Sequence, residues 1–60
     1  MGDKIRQARE NAGLSQHELA QALGVSHAAI SFWESGKTAP TIGNLYRLAS
    51  ILGVDPGSLL

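Results

Sequence analysis

Cysteine is absent from the 60 residues, so no disulfide and no thiolate metal site braces the chain. Its stability must come from apolar contacts, and a chain this short buries only about 60% of the surface its unfolded form exposes. The absence also fits a reducing compartment. An excess of charge is missing too: five Lys and Arg offset five Asp and Glu, and the sequence pI is about 6.7. A diffusely basic surface is therefore excluded, and any anionic partner must be met by a local arrangement of N–H groups, amides and a few cations. No apolar run approaches the ~20 residues that cross a bilayer, and the opening MGDKIRQARE is charged rather than signal-like. A soluble, cytoplasmic chain with no membrane contact is expected.

Catalytic and metal-binding patterns are equally sparse. His17 and His27 alone titrate near neutrality by residue type, and they are separated by a turn with no HxxxH spacing. A helical domain of this size leaves little room for a concave, water-excluding site. No enzyme activity, metal, cofactor or small-molecule ligand is expected. The string GKT at Gly36 to Thr38 is not a phosphate loop, because Ser31 stands where that motif needs its first glycine.

What is present is a pair of short helices between Ser15 and Gly36, SQHELAQALGVSHAAISFWESG. Ser15 and Glu18 have the spacing of a capping box, which starts the first helix. Leu19, Ala20 and Leu23 give it one apolar stripe, and Gly24 supplies its left-handed stop. Ser26 caps the second helix at once, with Ile30 and Trp33 on the buried side and Val25 beneath the turn. So short a turn forces the helices to cross steeply, with small Ala20 at the crossing. A helix-turn-helix has that geometry, and an ordinary helical hairpin is the alternative on this stretch alone.

The flanking segments read as support for this pair. Ile5, Ala8 and Ala12 repeat at helical spacing from about Asp3 to Ala12, before Gly13. Arg9 shares that apolar stripe, which calls for a partner, and Glu34 on the inner edge of the second motif helix is the candidate. Two solvated charges are the alternative, worth about 0 to 1 kcal/mol. Past Pro40, Thr41 caps a helix to Leu52 carrying Leu45, Leu48, Ala49 and Leu52, with Ile42 packing at its start. Asp55 and Pro56 open a last short helix through Leu59 and Leu60. The expectation is a single all-α domain, residues 1–60, of four or five helices, with its motif at about 15–36.

The residues Gln16, Leu19, Ala20, Gly24, Val25, Ile30, Trp33, Glu34, Gly36 and Lys37 resemble the pattern of the Cro/C1-type helix-turn-helix domain of phage repressors and related bacterial regulators, the XRE family. The resemblance runs from about Ile5 to Leu59. It implies a lambda-repressor-like fold, supports the Arg9 and Glu34 pair, and places Gln16 on a DNA backbone phosphate.

In such a motif the second helix enters the major groove of double-stranded DNA. With Ile30 and Trp33 inward, the helical period turns Ala28, Phe32 and Ser35 outward, flanked by His27 and Ser31. His27, Ala28, Ser31 and Phe32 are the candidate base contacts: His27 to a purine N7 or a phosphate, Ala28 and Phe32 to thymine methyls. No arginine or glutamine stands there, so an A·T-favouring readout of modest discrimination is expected. Gln16, Ser26, Lys37 and Thr38, with Thr41 and Asn44, are the candidate phosphate contacts. The expected form on DNA is a homodimeric repressor on a pseudo-palindromic operator, with Leu59, Leu60 and Ile51 as candidate dimer surface. The alternative is a helix-turn-helix scaffold that binds a protein through Phe32 and its neighbours.

Overall fold

A computed structural model describes residues 1–60 as helices α1 (Gly2–Asn11), α2 (Gln16–Leu23), α3 (His27–Ser35) and α4 (Ile42–Leu52), closed by a 3-10 turn at Pro56–Leu59. Local chemistry sets the boundaries. At α2 both bonds of the capping box form: the Glu18 N–H donates to Ser15 Oγ at 3.0 Å, and the Ser15 N–H to Glu18 Oε1 at 2.9 Å. Ser26 Oγ accepts from the Ala29 N–H at 3.1 Å, and Thr41 Oγ1 from the Asn44 N–H at 3.2 Å. Each cap satisfies a donor that the first helical turn leaves without a partner. Helix α1 lies one residue earlier than the spacing predicts, with Ala12 as its C-cap.

Gly24 makes the motif turn. Its φ of +77° lies in the left-handed region, and both its own N–H and that of Val25 donate to the Ala20 carbonyl. Only Val25 and Ser26 separate Gly24 from the start of α3, so the two helices cannot run side by side as a flat pair.

The core joins one to three residues from every element: Ile5 from α1; Leu19, Ala20 and Leu23 from α2; Ile30 and Trp33 from α3; Leu48, Ala49 and Leu52 from α4; and Leu59 from the closing turn. Helix α3 packs against both α1 and α2, while α4 closes on α2 and on the 3-10 turn. The inner face of α3 is thereby consumed, and its opposite face has no element over it. No helix is long and apolar enough to cross a membrane.

Four expectations are corrected. Val25 and Leu45 are only half-buried, packed against the margin of the core. Val25 lies in the turn past the end of α2, and Leu45 in the first turn of α4, where the packing layer ends. Ile42 is 73% exposed rather than packed, because nothing covers the start of α4. Leu59 is 1% exposed, so it belongs to the core and offers no surface to a second chain.

Candidate nucleic-acid interface

The steep turn brings the first residues of α2 and α3 side by side. Gln16 opens α2, His27 opens α3, and His27 Nε2 lies 2.9 Å from Gln16 Oε1. The Gln16 amide nitrogen donates to Glu34 Oε1, also at 2.9 Å. Glu34 receives Arg9 in a fork, Nε to Oε2 at 2.6 Å and Nη2 to Oε1 at 3.1 Å. Arg9 Nη1 spends its remaining reach on the Leu14 carbonyl at 2.9 Å. A continuous chain of bonds therefore runs from a buried ion pair, its side chains 11% and 4% exposed, to an exposed histidine at the tip of α3. Charge-assisted bonds of this forked kind fix orientation as well as adding energy.

Electrostatics follow the geometry. Burial pushes the Glu34 carboxyl up, but hydrogen bonds from Arg9 and Gln16 and the positive charge of Arg9 outweigh burial and hold it below its ordinary value. The same bond from Arg9 to Glu34 raises the guanidinium further against the opposing effect of burial. Both groups remain charged, and Glu34 therefore acts on Gln16 purely as an acceptor.

Along α3, His27, Ala28, Phe32 and Ser35 are exposed and Ser31 is half-buried. Phe32 is 39% exposed, and the Lys37 ammonium sits over its ring, 4.5 Å from the centroid. Lys37 is thereby kept beside the outer face of α3 by a contact worth about 0.5–1 kcal/mol at an exposed site. His17 meets His27 edge to face, with centroids 6.2 Å apart. The Ser26 hydroxyl accepts from Ala29, which leaves its proton free to donate outward. Thr38 is exposed just beyond the helix.

Thr41 and Asn44 form a separate group. They bond to each other, and Asn44 Oδ1 accepts from Arg47 Nη1 at 3.4 Å. Arg47 was missed by sequence reasoning altogether: its Nη2 donates to the Leu23 carbonyl at 2.6 Å, capping the C-terminal end of α2 from α4. A lone arginine on α4 carries no local sign of a partner 24 residues away. The resemblance places Gln16 on a DNA backbone phosphate, and nothing in its position foretells the bonds to both Glu34 and His27. The pairing of Lys37 with Phe32 was also missed, although their five-residue spacing around a helix end permits it.

The sequence and the fold are similar to those of known proteins. The helix-turn-helix family pattern matches residues 5–59. The chain is 40% identical over all 60 of its residues to the transcriptional regulator DicA of Escherichia coli, covering 44% of that protein. It is likewise 40% identical over 60 residues to the repressor protein C2 of Salmonella phage P22, covering 28% of it. It thus spans under half the length of these curated relatives. In three dimensions it superposes on the P22 c2 repressor in complex with a synthetic operator with a TM-score of 0.91 at 39% identity, over 98% of this chain and 89% of that one. SinR, a master regulator for biofilm formation crystallised with DNA, gives 0.91 at 34% identity over the whole of both chains. The four-helix architecture is lambda-repressor-like, and on the match across residues 5–59 the chain belongs to the Cro/C1-type helix-turn-helix family.

Proposed function

We propose that this chain is the sequence-specific DNA-binding module of a transcriptional repressor, with α3 in the major groove of a double-stranded operator. The observation that carries the reading is the paired start of α2 and α3: Gln16 and His27 stand 2.9 Å apart at the edge of an α3 face that no other element covers. Two adjacent helix starts offer N–H groups to phosphate, and the exposed face of α3 beside them fits a groove about 12 Å wide. The structures of the P22 repressor and SinR on DNA support the same placement by analogy.

In this arrangement His27, Ala28, Ser31 and Phe32 meet base edges. Gln16 offers its second amide hydrogen, and Ser26, Lys37 and Thr38 offer hydroxyl and ammonium donors, to phosphates. Thr41 and Asn44 serve as flanking phosphate contacts from α4. The working form is a homodimer on a pseudo-palindrome with half-sites about one helical turn apart. Its support is a patch of exposed apolar side chains, Ile42 at 73%, Tyr46 at 61% and Leu60 at 57%, around a cavity of about 370 Å³ also lined by Met1, Pro40 and Pro56. Exposed apolar groups gathered in this way mark a surface that a second protein covers.

A protein partner held by Phe32 is the second reading, favoured by the zero net charge and that ring's exposure. Selection from a random duplex pool separates the two. The repressor reading expects one enriched pseudo-palindrome, and Ala28→Val or Phe32→Ala should change which sequence wins. Absence of enrichment, together with a salt-insensitive protein complex, would replace it with the partner reading.

A further inference from the structure

We propose that Gln16 fixes the tautomer of His27 and so makes His27 an acceptor-type base reader, one that selects adenine or cytosine through the exocyclic amino group each shows in the major groove. The inference rests on the DNA-binding reading and specifies how one residue of that face discriminates.

The Glu34 carboxylate, held ionised by the Arg9 fork, has no proton to give. Gln16 must therefore turn its amide nitrogen toward Glu34 Oε1, where it lies at 2.9 Å. A planar amide then has its oxygen on the other side, 2.9 Å from His27 Nε2. An amide oxygen only accepts, so Nε2 carries the proton. A neutral imidazole has one N–H, and Nδ1 is left with a lone pair and no hydrogen bond within the protein. The His17 ring stands edge-on to the His27 ring, with centroids 6.2 Å apart.

Base edges differ in what they offer such an atom. Adenine N6 and cytosine N4 donate, whereas guanine O6 and N7 and thymine O4 accept and would oppose the lone pair. The purine N7 expected from residue type alone is thus replaced, because that contact needs a proton on Nδ1. Gln16 keeps its second amide hydrogen for a phosphate, so docking leaves the chain of bonds intact. Gln16 is a positioning residue here and His27 the reader.

The test combines two measurements at pH 8. Long-range ¹H–¹⁵N correlation of the imidazole in the free chain should place the His27 proton on Nε2. Random-pool selection with the wild type should enrich adenine or cytosine about tenfold at one position per half-site, the identity of the base telling which amino group is read. H27A should level that position to within about twofold while the others persist. Q16L should weaken all duplexes and also erase most of the preference there, an effect that loss of a phosphate contact alone would not produce. A proton on Nδ1, guanine or thymine at the position H27A levels, or an unchanged preference in Q16L overturns the proposal and leaves DNA binding standing. Failure of the wild type to enrich any duplex overturns the DNA-binding reading and this inference with it.

Discussion

Arg9 and Glu34 show how much one pair of residues can decide in a chain of this size. Removing one partner of a buried pair leaves a charge without compensation and costs about 3–5 kcal/mol, against a total stability of roughly 3–9 kcal/mol for this length. Glu34→Gln, which keeps the shape, is expected to cost about 3 kcal/mol in urea denaturation followed by the fluorescence of buried Trp33. Acid should act on the same pair. The folded carboxyl of Glu34 is held below its ordinary value of 4.5, so its contribution is present above that value and lost as pH falls through the folded one. The melting midpoint should therefore drop below about pH 4.5, and more steeply in the wild type than in Glu34→Gln. Equal acid limbs would show that the pair contributes nothing. Arg9 was legible in the sequence because a cation on an apolar stripe demands a partner. Gln16 was not, because a glutamine at a helix start satisfies local chemistry without one.

Helix starts and stops are the most legible features of the elements, since Ser15, Ser26 and Thr41 each bond within three residues of themselves. Glycines divide into two kinds that sequence alone cannot separate. A Cβ on Gly24 would meet nothing within 4 Å, so Gly24→Ala costs only the left-handed backbone, about 1–2 kcal/mol. Gly2 has no such backbone, but a Cβ there would stand 2.5 Å from the Glu34 carbonyl oxygen and 2.7 Å from that of Trp33. Gly2→Ala must push the start of α1 off the end of α3. Thermal unfolding should accordingly show Gly24→Ala losing stability with α1 still docked. Gly2→Ala should show faster amide exchange at Ile5, which donates to the Met1 carbonyl in the displaced turn. Beyond the end of α3, Lys37→Ala should weaken binding to every duplex alike and reduce the salt slope by about one per protomer. A changed sequence preference instead would place Lys37 at a base.

At the scale of the whole molecule, 23 × 22 × 19 Å, the core that immobilises α3 and the surface it presents are two results of one packing. The inner stripe of each helix was readable from periodicity, because Ile30, Trp33, Leu48 and Leu52 repeat at helical spacing and are buried. The margins were not. Ile42 and Leu59 have the same apolar chemistry, and only the arrangement of the other elements leaves one 73% exposed and the other 1%. Exposed Ile42, Tyr46 and Leu60 form the proposed dimer surface, and Ile42→Glu with Tyr46→Glu should leave a folded chain that sediments as a monomer and binds a half-site far better than it distinguishes a full palindrome. Unaltered sedimentation would move the interface elsewhere.

The docking of α3 against sugar-phosphate strands is tested most directly by the affinity of the wild-type chain for its enriched duplex across a range of salt concentrations. Two protomers, each placing Lys37 at a phosphate, should make the logarithm of the association constant fall linearly with that of salt, with a slope of about −2 or steeper. A flat response would contradict phosphate docking and return the exposed face of α3 to a protein partner.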